Sequence, residues 1–145
     1  MSTNSKGTDA VDVEIARLID RLMRRIHATL NANAPVFDVH RIGPAGGILL
    51  LTLADIAPAR LQDVVVQMAR DKSQITRGIQ ALERKGLVER ASSPEDGRVA
   101  LLTLTAEGQT TVATLQRAVA DALNDILAPL NGDQQRQLKT LLSLI

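Results

Sequence analysis

The sequence predicts a mainly α-helical chain with one small β-hairpin. Three observations carry that prediction. Five stretches repeat apolar residues at the 3.6-residue helical period and a sixth is apolar nearly all round, Pro and Gly signals punctuate them, and a single Asp96-Gly97 pair joins two short apolar runs. A length of 145 residues and 45% hydrophobic content suit one domain, 1–145, with a real core.

The elements follow in order. MSTNSKGTD is polar and lacks an apolar signal core, so a flexible tail over 1–8 is expected. Val11, Ile15, Leu18, Ile19, Leu22, Met23 and Ile26 then lie on one helical stripe, which predicts a helix over Asp9–Leu30 with Thr8 or Asp9 as its cap. NANAP breaks it, because a helix seldom continues through the residue before a proline; a loop to about Gly43 follows. PAGGILLLTLAD from Pro44 is apolar nearly all round and predicts a short buried helix. Pro58 suits the first turn of the next helix, Ala59–Met68, with Leu61, Val64, Val65 and Met68 inward.

Asp71 with Gln74 makes a variant capping box opening a further helix, and Gly86 is a natural left-handed stop after Lys85. Leu87–Arg90 and Arg98–Leu104 are the strand candidates, joined through ASSPEDG. Thr105 can cap a long helix carrying Val112, Leu115, Val119, Leu123, Ile126 and Leu127, which ends near Pro129. Asn131 and Gln134 form a second capping-box variant, and the last helix carries Leu138, Leu141, Leu142, Leu144 and Ile145.

Composition excludes several function classes. There is no Cys, so disulfides, thiolate metal sites and thiol switches are ruled out, which suits a cytoplasmic location. The longest apolar stretch, Ile48–Ala57, contains Thr52 and Asp55 and is far short of the ~20 residues of a membrane helix, so no membrane partner is expected. His27 and His40 have no acidic or Ser partner at a recognisable spacing, which predicts neither an enzyme nor a metal or cofactor site. With no Trp or Tyr and one Phe, stacking platforms for single strands are missing, so any nucleic-acid partner would be a duplex.

The helix opened by Asp71 has an unusual polar side. Advancing about 100° per residue from Ile75 puts Gly78, Ile79 and Leu82 within about 60° of it, and Ser73, Arg77, Gln80 and Arg84 between about 140° and 200°. Thr76 and Gln74 flank that outer strip. In the second helix of a helix-turn-helix such side chains face base edges: Arg pairs with guanine, Gln with adenine, and Ser or Thr with several acceptors. The charge agrees, since Arg70 to Arg90 holds six basic and three acidic residues, an excess of +3 on a chain whose net charge is +1. Arg98, past the hairpin turn, adds a cation that would enter a neighbouring minor groove.

DKSQITRGIQALERKGLVER, then SPEDGR, then LTLTAEG resembles the MarR family of bacterial winged-helix transcription regulators, without a gap from Asp71 to Gly108. The resemblance implies a winged helix-turn-helix lobe over 43–105, with dimerisation helices and their connection over 9–42 and 106–145. It further implies a homodimeric DNA-binding repressor or activator, read here as a repressor on a pseudo-palindromic operator, with a small-molecule effector of unspecified class as a further partner. Matched to the motif, Ser73, Gln74, Thr76 and Arg77 would face bases and Arg98 would be the wing's minor-groove residue. Lys72, Arg84 and Arg70 would hold phosphates, and Asp96 would brace the wing. Lys85, beside Arg84, is expected to meet phosphate or water. The apolar tail LLSLI and the apolar stripe of the first helix would be exposed on a monomer, which independently favours a dimer. The alternative is a winged helix used for protein contacts.

Overall fold

The computed structural model describes residues 8–32 and 40–145. Its elements are α1 (Thr8–Ala32), α2 (Gly43–Ile56), α3 (Leu61–Met68), α4 (Lys72–Arg84), β1 (Val88–Ser92), β2 (Ala100–Leu104), α5 (Ala106–Leu127) and α6 (Gly132–Leu142). Mainly helical with one hairpin, the chain has the expected fold class. The tail before Thr8, the side chains of Thr8 and Asp9, and most of the loop after Ala32 lie outside the described residues.

Two compact units form. One contains the described chain from His40 to Ala120, the other α1 with the chain from Asp121 onward. In the first, α2, α3 and α4 surround a core of Leu50, Leu53, Val64, Ile79 and Leu82, none more than 1% exposed, closed by Leu87 and Leu102 from the hairpin and by Val112 and Leu115 of α5. Burying a side chain of this kind contributes about 1.5 to 3 kcal/mol, so these positions dominate the lobe's stability. Gly78 permits close packing of α4 on α2: a Cβ there would come within 2.6 Å of Leu49 Cδ2.

The hairpin is antiparallel and pairs Val88 with Leu104 and Ser92 with Ala100. A third rung corrects one expectation. Ala59 does not begin a helix; its amide donates to Leu102 O (3.1 Å) and its carbonyl accepts from Leu102 N (2.7 Å), so Ala59 extends the sheet beside β2. Pro58 therefore lies before the helix rather than in its first turn. Helix α3 starts two residues later, where the Arg60 amide donates to Asp63 Oδ2 (3.0 Å).

A second correction concerns the start of α4. Asp71 occupies the cap position with extended ψ, but its carboxylate accepts no amide and the expected capping box is absent. The first bond is main-chain, Ile75 N to Asp71 O at 3.1 Å. Residues 71–74 are all exposed, so water can serve the free amides, and Gln74 keeps its side-chain amide uncommitted.

The other end of α4 closes tightly. Gly86 has φ +73°, its amide donates to Glu83 O (3.0 Å), and the Leu87 amide donates to Leu82 O (3.0 Å), a Schellman motif. Thr105 caps α5 as expected, accepting from the Gly108 amide at 3.0 Å. It does more: its hydroxyl donates to Gly86 O (2.6 Å) and its amide to Leu87 O (3.1 Å).

In the second unit Ile126 is buried, and Leu22, Ile26, Leu123, Leu127 and Leu138 are half-buried. Asn131 and Gln134 exchange two bonds, Gln134 N to Asn131 Oδ1 (2.9 Å) and Asn131 N to Gln134 Oε1 (3.0 Å), so the second capping box does form. Large apolar side chains stay open, among them Ile15, Leu18, Ile19 and Met23 of α1, and Leu141, Leu144 and Ile145 near the C-terminus. No helix among the described residues is long and apolar enough to cross a membrane.

Two glycines separate conformational from steric demand. At Gly86 a Cβ would meet only Glu107 Oε2 at 3.9 Å, so Gly86→Ala should cost the about 1 to 2 kcal/mol of a left-handed residue. At Gly108 it would lie 2.0 Å from Leu87 O, a backbone atom, so Gly108→Ala should cost about 3 kcal/mol. Urea unfolding of both variants checks the order, and a smaller loss at Gly108 than at Gly86 contradicts it.

Candidate nucleic-acid interface

The outer face of α4 is assembled by the helical period. Ile75, Ile79 and Leu82 are buried, and Ser73, Gln74, Arg77, Gln80 and Arg84 are exposed on the other side, with Thr76 half-buried between. Lys72 opens the same helix, and Arg70, also exposed, precedes it. Among the described residues, none of the side chains of Arg70, Lys72, Ser73, Gln74, Thr76, Arg77 and Arg84 has a protein hydrogen bond or ion pair. A buried polar group without a partner would cost stability, but these keep their donors and acceptors available at the surface.

Arg98 lies in the hairpin turn, exposed and apart from that strip. Its main chain is held: Asp96 Oδ1 accepts from the Arg98 amide at 3.0 Å, and Asp96 O accepts from the Val99 amide at 3.0 Å. A carboxylate that accepts an amide two residues on closes a turn without help from the rest of the sheet. Ser93 N to Val99 O (2.8 Å) closes the base of the turn. The structure thus brings the residues from Arg70 to Arg84 onto one helix face and its approach, and sets Arg98 on the hairpin.

Several fastenings were not visible in the sequence. Arg90 Nε donates to Glu83 Oε1 at 3.0 Å, tying β1 to α4. Strand alternation explains it, because Arg90 shares a face with Val88, which points to the core side where α4 lies. Lys85 requires a correction. Its ammonium donates to His40 O and to Arg41 O (2.8 Å), so it is committed to main-chain carbonyls and not left to phosphate or water. The seven- and 44-residue separations carry no local pattern; only the carboxylate-guanidinium pair had chemistry that could have suggested it.

A cleft of about 400 Å³ opens beside α4, with Leu49, Met68 and Ile75 in its wall and Arg41, Arg70, Gln74 and Lys85 among its polar groups. Among the described residues no acidic side chain lines it. Among the described residues no group of three His, Asp or Glu side chains is placed to hold a metal.

Comparison with known proteins points the same way. The MarR family's sequence model matches residues 48–100. The chain is similar to an uncharacterized HTH-type transcriptional regulator of Bacillus subtilis (strain 168), YxaD, with 40% identity over 62 residues, 43% of this chain and 43% of that protein. It thus matches less than half the length of that curated relative. Among solved structures, apo MarR from E. coli superposes with a TM-score of 0.72 at 25% identity, covering 88% of this chain and 93% of that one. Bordetella bronchiseptica BpsR, whose DNA binding is regulated by 6-hydroxynicotinic acid, shares the fold with a TM-score of 0.66 at 24% identity, covering 90% of this chain and 96% of that one.

Removing the Asp96 carboxylate should loosen the turn locally. Asp96→Ala is expected to change global stability by less than about 0.5 kcal/mol, while exchange of the Arg98 amide with solvent speeds up. Residue-resolved hydrogen exchange checks this, and an unchanged Arg98 amide would show that Asp96 does not hold the turn.

Proposed function

Because residues 48–100 match the MarR family's sequence model, we propose that the chain is a MarR-family transcriptional repressor that reads double-stranded DNA as a homodimer. The observation that carries this reading is the uncommitted polar face of α4. In this reading Ser73, Gln74, Thr76 and Arg77 meet base edges in the major groove, since they lie at the N-terminal half of the second helix of a helix-turn-helix. Arg70, Lys72 and Arg84 hold phosphates, Arg98 enters the minor groove, and Asp96 keeps the wing in shape for it.

The dimer is the part supplied by the second unit. Leu18 and Ile19 of α1 are 48% exposed, Leu144 is 78% and Ile145 97%, more apolar surface than a small soluble monomer ordinarily leaves open. Pairing these helices about a two-fold axis covers them, and two copies of α4 reading half-sites one DNA turn, about 34 Å, apart call for a pseudo-palindromic operator. The cleft beside α4 suits a small organic anion, with apolar walls and cations at its edge. Bound there, such an effector would bear directly on Gln74 and Arg70 and release the DNA.

Two experiments test the reading. Arg77→Ala should cost about 1 to 3 kcal/mol of affinity and relax preference at one base pair. Arg98→Ala should weaken binding with major-groove preference retained. Both are measured on fluorescent duplexes across a salt titration. Unchanged affinity in both variants would sink the DNA reading and leave the protein-contact alternative. Separately, Leu141→Glu with Leu144→Glu should convert a dimer to a monomer in sedimentation velocity; a wild-type monomer, or a variant still fully dimeric, contradicts the proposed pairing surface.

A further inference from the structure

Lys85 follows α4 as its C-cap, and it is the cation of that stretch whose head group is engaged by main-chain carbonyls. We propose that Lys85 is a positioning residue: it latches the C-terminal end of α4 to the segment leading into α2, and thereby sets the angle at which the reading face meets DNA.

Four observations support the latch. An ammonium has three donors, and here two go to the carbonyls of His40 and Arg41, 45 and 44 residues away in sequence. Charge-assisted bonds of this kind are stronger than neutral ones, and both acceptors belong to main chain, which moves only if the segment moves. Arg41 has φ +54°, a left-handed conformation that a residue with a Cβ adopts at some cost, which contacts from outside the segment offset. The same segment is also approached by α5, where Glu107 Oε1 lies 3.8 Å from His40 Nε2.

Geometry then links the latch to reading. A rod is oriented by two attachments. On α2, the first is the mid-helix approach of Gly78 to Leu49, and the second is Lys85 at the end of α4, reaching the residues just before α2 begins at Gly43. With the second removed, α4 keeps its ties to the hairpin through Gly86, Leu87 and Glu83 but is held on α2 only near Gly78, so its N-terminal residues, Ser73 to Arg77, can turn relative to α2. Base contacts need alignment, whereas phosphate attraction tolerates small rotations. Loss of the latch should therefore erode sequence preference before it erodes general affinity.

The test compares Lys85→Met, which keeps the stem and removes the donors, with Lys85→Arg, which restores them. Without DNA, hydrogen exchange of amides 46–50 at the start of α2 should accelerate at least about threefold in the Met variant and return in the Arg variant. With DNA, affinity for a preferred duplex should fall about tenfold, affinity for a random duplex less than about twofold, and the salt slope should stay the same. A slope reduced by about one, with both affinities falling together, would make Lys85 a phosphate contact and overturn the latch. Unchanged exchange would overturn it as well. The DNA arm rests on the function proposed above; if the wild type prefers no duplex, that reading fails and the exchange arm alone decides the latch.

Discussion

The lobe depends on the junction where the end of α4, both strands and the start of α5 share a few atoms. Leu87 N returns to Leu82 O, Gly86 O receives the Thr105 hydroxyl, Leu87 O receives the Thr105 amide, and the Thr105 oxygen caps Gly108. Each bond satisfies a group that a helix or strand end leaves orphaned. Because the same residues serve several elements, the direction of α4 and the placement of the hairpin are set together. Gly108 completes the junction by letting α5 come against Leu87 O, where no side chain fits.

That economy explains how the outer face of α4 can remain free. The helix is held by its buried stripe, by the junction, by Glu83 to Arg90, and by Lys85 to the segment before α2. None of these uses Ser73, Gln74, Thr76 or Arg77. A helix fastened only through its inner face and its C-terminal end can offer its N-terminal half to a partner without losing its own supports. The absent capping box at Asp71 fits this division, since a formed one would have engaged Gln74.

What was legible in the sequence was local. The period of Ile75, Ile79 and Leu82, the stop at Gly86, the turn at Asp96-Gly97 and the cap at Thr105 are signals written within one or two turns of chain, and each reappears in the structure. What was not legible was pairing at a distance. Ala59 looked helical because Pro58 suits a first turn, but two bonds to Leu102, 43 residues on, outweighed that local preference. Lys85 looked like one more surface cation because a carbonyl acceptor has no sequence signature. Asp71 shows the opposite failure: the capping pattern is present and the box does not form, although the equally exposed Asn131 and Gln134 form theirs.

The central claim is that the exposed face of α4 reads duplex DNA as one half of a two-fold pair. Selection of bound duplexes from a random pool with purified protein tests it most directly. The expected result is an inverted-repeat consensus whose half-sites are centred about 10 base pairs apart. Bound duplexes with no enriched sequence, or a single unrepeated half-site, would contradict it.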